Sequence, residues 1–349
     1  MSAALLALPA GAQAQSFEFD AEAAAAIDAA IAAQTYGSVS SVMILEQGEV
    51  RHAGWYGEAD ADTLHDTRSV TKTITGMVAG AAIADGYLML DTPVAGFFPD
   101  LVDAAAMDPR KQAITVEDLL TMSSVMECND WNEYSRGNEE RMYLVEDWNA
   151  FFWSLPVRGF PSWQTPPERS PYGRAFSYCT AGVQLLGEVV ERAVGRSVTD
   201  YARERLLTPA GIDQLDWPEN GQGRPHLGGG LRLSTASLAR LGELQRQGGV
   251  LDGERILPQD WTAASVAHHA EITDSPGWEY GYLWWLAPYE VDGEQFWAAA
   301  MNGNGGNRVM VLPEFGLTLV FTNTDYNTPT MHRNAGAFFE TEIVGRLSR

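Results

Sequence analysis

The stretch "DTRSVTKTITGMVAGAAIADG", residues 66–86, decides how this chain is read. Apolar residues Val70, Ile74, Met77, Val78 and Ala81 recur at i, i+4, i+7, i+8 and i+11, the spacing of an α-helix. Val70, Thr71, Thr73, Ile74 and Thr75 are β-branched and lower its intrinsic propensity, so packing must hold the helix. At about 100° per residue, Ser69, Lys72, Thr73 and Gly76 share an arc away from the apolar stripe, with Gly76 leaving room beside the other three. Ser69 falls in the first turn, where free backbone N–H groups and the helix dipole favour developing negative charge. A desolvated amine three residues on can reach the hydroxyl and accept its proton. By itself the pair reads equally as a polar couple on a solvated face or as a nucleophile with its base.

The rest of the composition sharpens that choice. The 349 residues are 45% apolar and 20% charged, an ordinary globular balance with enough chain for a large core. The net charge of −23 repels phosphate backbones and anionic lipid, so nucleic acid is excluded as a partner class. Only two of the 23 basic residues are lysines, Lys72 and Lys111, and arginine cannot supply a neutral amine. The start, "MSAALLALPAGAQAQS", is an apolar small-residue run ending in Ala12-Gln13-Ala14, the A-x-A form of a secretory cleavage site. We therefore expect residues 1–14 to be a signal-peptide remnant and the protein to be exported, periplasmic or secreted. No later stretch reaches the roughly 18 uninterrupted apolar residues of a membrane span. Two cysteines, Cys128 and Cys179, fit one disulfide in an oxidising compartment or two buried thiols, and no zinc spacing exists.

Organisation changes along the chain. An alanine-rich helical pattern, Asp20 to Gln34, precedes "SVSSVMILEQGEVRHAGWYG", two strand-like runs around Gln47-Gly48 that suit a hairpin. Near the other end "YGYLWWLAP", "QFWAAAM", "NRVMVL" and "LTLVFTN" are strand-like, separated by turn signals at Asp292-Gly293 and Pro313 to Gly316. From about Thr92 to Arg246 the patterns are mostly helical, including "TAGVQLLGEVVERAVG" closing on Gly195. The expected fold is α/β in the α+β sense: an antiparallel sheet from both termini flanked by helices, residues 15–91 and 247–349, with a mostly helical domain, 92–246, inserted between.

The residues around the opening stretch resemble the serine hydrolases related to class C β-lactamases, D-alanyl-D-alanine peptidases and family VIII carboxylesterases. The segments concerned are "IADGYLMLDTPVAGFFPDL", "AITVEDLLTMSSVME", "FSYCTAGVQLLGEVVERAVGRSVTDYARERLLTPAGI" and "MNGNGGNRVMVLPEFGLTLVFTN". The resemblance covers the chain from about residue 35 to its end. It implies a β-lactamase/transpeptidase-like fold with Ser69 as nucleophile, Lys72 as its base partner and Tyr178 relaying the proton. The family's Tyr-x-Asn is here Tyr178-Cys179-Thr180, so Thr180 stands for the amide that grips an acylamino side chain. Its Lys-Thr-Gly or His-Thr-Gly strand motif is replaced by Asn302-Gly303-Asn304-Gly305-Gly306-Asn307, with the second oxyanion N–H near Asn304 or Gly305. In motif form the chain is most similar to 6-aminohexanoate-dimer hydrolases and related esterases, which implies His332 as a further site residue. Tryptophans 131, 153, 163, 284 and 285 are candidates for an apolar acyl pocket.

Other chemistries lack their motifs. There is no G-x-S-x-G elbow, no H-E-x-x-H and no G-x-x-x-x-G-K-[ST]. The expectation is a serine hydrolase that needs no cofactor or metal and acts on a small-molecule ester or amide. Carboxylesterase-like activity is favoured, with amide hydrolysis of 6-aminohexanoate-dimer or D-amino-acid peptide type, or weak β-lactamase activity, as alternatives. A non-catalytic peptidoglycan- or partner-binding module is the alternative of another class.

Overall fold

The computed structural model describes residues 15–103, 106–160, 162–163, 175–272, 275 and 277–349. The expected signal segment, residues 1–14, lies outside them. Eight strands form one sheet: β1 Val39–Glu46, β2 Glu49–Trp55, β3 Ala270–Glu271, β4 Glu279–Tyr280, β5 Trp285–Val291, β6 Glu294–Gly303, β7 Asn307–Leu312 and β8 Leu317–Asn323. Their spatial order is β2-β1-β8-β7-β6-β5-β4-β3, with every pairing antiparallel. The N-terminal hairpin thus joins the C-terminal strands through the β1–β8 pairing. Its turn, Gln47 and Gly48, has φ of 53° and 84°, and Asp292-Gly293 between β5 and β6 repeats this with 53° and 81°. Two successive left-handed residues match the twist of a two-residue hairpin, which is why glycine occupies the second position of each.

Both faces of the central strands are covered, and the two-residue alternation sorts their side chains. Val42, Ile44, Met310, Leu312, Leu319 and Phe321 face a core with Ile27 and Ile31 of α1 (Ala21–Ala32). Met43, Leu45, Val309, Val311 and Val320 face the opposite core, which contains α2 (Val70–Ala84). Among the other helices of that second core are α3 (Trp148–Ser154), α4 (Thr180–Val194) and α5 (Thr235–Arg246). A final helix, α6 (Met331–Phe338), returns to the first. Helix α4 ends at Gly195 with φ of 71°, the left-handed cap expected from its sequence.

Two features differ from the sequence pattern. Thr235–Arg246, expected within the helical insertion, lies directly on the sheet: a Cβ on Gly242 would meet Thr318 Cγ2 at 2.6 Å, and Glu243 accepts from Thr318 Oγ1 at 2.6 Å. Helix α2 is not amphipathic in place, since every residue from Val70 to Ala82 is buried. Its threonines hold it from its polar side: Thr73 Oγ1 donates to Leu283 O at 2.6 Å, Thr75 Oγ1 donates to Leu227 O at 2.7 Å, and Thr71 Oγ1 accepts from Leu231 N at 3.1 Å. Gly80 admits the Trp261 ring, which a Cβ would meet at 2.1 Å. Gly76 gives room to Leu283, which a Cβ would meet at 3.3 Å, rather than to Ser69 and Lys72.

Candidate active site

Ser69 caps α2 at its N-terminus, and Arg68 before it adopts φ of 53°. A non-glycine residue in the left-handed region costs about 1 kcal/mol or more and persists only where neighbours hold it. Here Arg68 is held by Asp66 at 3.3 Å and by the Tyr326 ring, 4.6 Å from its guanidinium carbon. Tyr326 in turn donates to Asp66 O at 2.9 Å. The result presents a half-buried Ser69 at the start of the central helix.

Lys72 is 2% exposed, so its amine is withdrawn from water. Its Nζ lies 2.9 Å from Ser69 Oγ and donates to Gly228 O at 2.5 Å. The Tyr178 ring is 5.0 Å from the same nitrogen. Gly228 brings its carbonyl in because it lacks a side chain: a Cβ there would sit 2.6 Å from Thr180 Cγ2. Tyr178 is buried, and its side chain is close enough to Ser69 for that contact to bear on its ionisation. Burial raises its pKa, while Lys72 and the Ser69 contact oppose the rise. Ser69, Lys72 and Tyr178 therefore meet, as the sequence motifs expect.

Tyr178 is fixed through its backbone neighbours. Cys128 and Cys179 form a disulfide. Tyr178 O accepts from Asp130 N at 2.9 Å, and Ser177 Oγ donates to Cys128 O at 2.5 Å. Cys179 caps α4, its sulfur accepting from Gly182 N at 3.3 Å. The ring itself stacks on Trp131, 5.3 Å between centroids and 7° between planes, and Trp285 lies 5.6 Å from it. Of the five candidate tryptophans, Trp131 and Trp285 reach the site. Trp153 packs against Phe98 and Phe152, Trp284 is 1% exposed in the core, and Trp163 is on the surface.

The remaining expected residues are arranged differently. Thr180 is buried, and its hydroxyl and N–H both go to carboxylates: N donates to Asp130 Oδ2 at 2.7 Å, and Oγ1 is 2.8 Å from Asp130 Oδ2 and from Glu139 Oε2. It thus serves those acids and is not presented as a free donor. Gly303 packs where a Cβ would strike Thr67 O at 2.0 Å, which sets the end of β6 beside the Ser69 turn. Asn304 Oδ1 accepts from Asn327 N at 2.9 Å, while its Nδ2 donates to Asn327 Oδ1 at 2.7 Å. Gly305 N donates to Met331 Sδ at 3.2 Å, so this N–H is already engaged. His332 sits at the start of α6, and its carbonyl accepts from Arg308 at 3.1 Å. Among the hydrogen bonds of the described residues, none joins its imidazole to Ser69, Lys72 or Tyr178.

Asp130, Glu139 and the Gly228 carbonyl were missed by sequence reasoning. Asp130 and Glu139 lie in an irregular segment without periodicity, and only the Gly228-Gly229-Gly230 run hinted at close backbone approach. A cleft of about 920 Å³ lined by Trp55, His65, Asp66 and Tyr326 lies elsewhere, adjoining the turn before Ser69. The Ser69, Lys72 and Tyr178 side chains do not line it. Among the described residues no cluster of His, Cys, Asp and Glu is arranged to hold a metal, and no helix is long and apolar enough to cross a membrane.

Comparison with known proteins adds the lineage. The family model described as "Beta-lactamase" matches residues 23–341. The 6-aminohexanoate-dimer hydrolase of Paenarthrobacter ureafaciens is 23% identical over 274 residues, 73% of this chain and 68% of that protein. The penicillin-binding protein 4 of Amycolatopsis lactamdurans is 25% identical over 277 residues, 70% of this chain and 67% of that protein. Among solved structures, a family VIII carboxylesterase superposes with a TM-score of 0.66 at 18% identity, covering 93% of this chain and 98% of its own.

Proposed function

The chain belongs to the beta-lactamase family, and from that premise we propose that it is a serine hydrolase whose acyl-enzyme forms on Ser69. The observation that carries this reading is the 2.9 Å contact between Lys72 Nζ and Ser69 Oγ inside a site that also buries Tyr178. Lys72 Nζ donates to Gly228 O, which holds the nitrogen beside the serine hydroxyl whose proton it is to accept. Ser69 Oγ attacks the substrate carbonyl carbon as its proton passes to the Lys72–Tyr178 pair. The N–H groups of Ser69 and Asn304 receive the oxyanion, Gly305 N–H being engaged by Met331. Collapse of the tetrahedral intermediate breaks the carbonyl–leaving-group bond, and the pair returns the proton to the leaving group. Water then attacks the acyl-enzyme by the same route, releasing acid and Ser69.

Esters lacking a carboxylate are the proposed substrates. An alkoxide leaves more readily than an amine, and the run Asn302 to Asn307, which replaces the family's Lys-Thr-Gly, holds no lysine for a substrate carboxylate. Asp130 and Glu139 nearby add negative charge that opposes such a group. The aromatic wall of Trp131, Tyr178 and Trp285 suits an apolar acyl chain. Amide hydrolysis is the second reading, favoured by the similarity to a 6-aminohexanoate-dimer hydrolase. We also propose export, supported by the A-x-A start and by a disulfide of the kind that persists in oxidising compartments. Purified protein and Ser69→Ala are to be assayed on short p-nitrophenyl esters, a chromogenic cephalosporin, a D-alanyl-D-alanine peptide and the 6-aminohexanoate dimer. Ester turnover abolished by Ser69→Ala is expected; turnover of none of these by the wild type would favour a binding module.

A further inference from the structure

The Thr180 hydroxyl poses a proton-counting problem. It lies 2.8 Å from Asp130 Oδ2 and 2.8 Å from Glu139 Oε2. A hydroxyl has one proton to give, so it cannot donate to two carboxylates at once. Both contacts are satisfied only if one carboxyl carries a proton and donates it to Thr180 Oγ1, while Thr180 donates onward to the other. The rest of the arrangement is already saturated with donors: Asp130 Oδ1 accepts from Glu139 N at 2.9 Å, and Oδ2 from Thr180 N at 2.7 Å. Two adjacent carboxyls that share a site resist double ionisation for the same electrostatic reason.

We propose that Asp130, Thr180 and Glu139 hold one shared proton, and that this proton sets how much negative charge faces Lys72 and Tyr178. The three are positioning residues that act through the Lys72–Tyr178 pair, and the proposal rests on the catalytic reading of that pair. Burial first, and the Glu139 charge second, push Asp130 up to about 7, with Lys72 and Thr180 opposing. The charged and titratable groups facing the acids are Lys72 on α2, Tyr178 before α4 and Tyr143 after Glu139, with Glu140 acting on Tyr143 and Arg68 on His226. Tyr143 donates to Glu139 Oε2 at 3.3 Å and lies 3.5 Å from His226 Nε2. Burial and Lys72 hold His226 down at about 4, so it stays neutral near pH 7 and does not supply the shared proton.

With the shared proton present the acids carry one negative charge; without it they carry two. The second charge favours the Lys72 ammonium and disfavours the Tyr178 phenolate, so it opposes removal of a proton from the pair that must accept one from Ser69. The alkaline loss of the shared proton therefore stretches the acidic limb of the rate profile towards higher pH.

The test combines infrared difference spectroscopy with pH profiles of kcat/KM on a neutral ester. Wild type is expected to show a protonated-carboxyl band at about pH 6 that bleaches as pH rises through about 7. The isosteric variants Asp130→Asn and Glu139→Gln are expected to lack it, and their acidic limbs to move down by about one pH unit. Thr180→Ser, which keeps the hydroxyl, is expected to retain the band and the wild-type limb. The band is expected to survive in Ser69→Ala, so its presence is read independently of whether Ser69 is the nucleophile. No such band in wild type, a band that survives both isosteric variants, or limbs that superpose on the wild-type limb in both, would overturn the proposal.

Discussion

Removal of the Cys128–Cys179 disulfide separates what the cross-link does for stability from what it does for the site. The two cysteines are 51 residues apart. Closing a loop of that length in the unfolded chain removes entropy worth about 4 kcal/mol at 25 °C in the chain-entropy treatment. Cys179 has a second role, because its sulfur caps α4 by accepting from Gly182 N at 3.3 Å. A lost N-cap costs about 1 kcal/mol, and serine retains a capping oxygen. The double variant Cys128→Ser, Cys179→Ser is therefore expected to lose about 4 kcal/mol. Cys128→Ser with Cys179→Ala should lose about 1 kcal/mol more. Urea unfolding followed by far-ultraviolet circular dichroism gives the midpoints, from which the differences follow at constant slope. Ester turnover should also fall below the unfolding range, because the same bridge anchors the segment carrying Tyr178. Equal midpoints for oxidised wild type and the double-serine variant would refute the stability argument. Unchanged turnover would refute the anchoring argument.

Three further outcomes follow from the same geometry. Lys72→Met, which keeps the buried stem without the amine, should lower kcat on a p-nitrophenyl ester about 10³-fold with little change in KM; a loss below tenfold would count against the base role. Gly228→Ala forces a Cβ against Thr180 Cγ2, 2.6 Å from its ideal position, and displaces the carbonyl that accepts from Lys72. Its kcat should drop by about an order of magnitude, and full activity would show that the carbonyl's place is immaterial. His65 closes a ring of hydroxyls with Ser40, Thr322, Ser41 and Thr235, and burial holds its pKa down at about 4. Below about 6.5 the unfolded chain binds the proton that the folded one refuses, so stability is full above that pH and declines as pH falls towards about 4, by a few kcal/mol. His65→Gln should flatten this decline in urea midpoints measured across the range, and an identical slope would exclude His65 as its source.

The sheet and the meeting of Ser69, Lys72 and Tyr178 were legible in the sequence for different reasons. Gln47-Gly48 and Asp292-Gly293 specify two-residue hairpins locally, and the strands between them carry their own alternation. Ser69, Lys72 and Tyr178 were legible because resemblance joined segments that periodicity alone could not bring together. What stayed hidden depends on contacts between distant residues. The apolar stripe of α2 left a solvated opposite face as one of two readings, yet Thr71, Thr73 and Thr75 bind backbone from two other segments and leave that face dry. Thr180 looked like a substrate contact by its position in the motif, and only the fold of residues 128–139 shows its hydroxyl spent on Asp130 and Glu139. Likewise nothing in the glycine run beyond Gly303 indicated that Met331 Sδ accepts from Gly305 N.

The most direct measurement is the intact mass and peptide map of protein quenched with acid during turnover of a slowly deacylated p-nitrophenyl ester. One acyl group per chain is expected, carried on the peptide containing Ser69 and absent from Ser69→Ala, with turnover lost in that variant. An acyl group on another residue, or undiminished turnover by Ser69→Ala, would contradict that expectation.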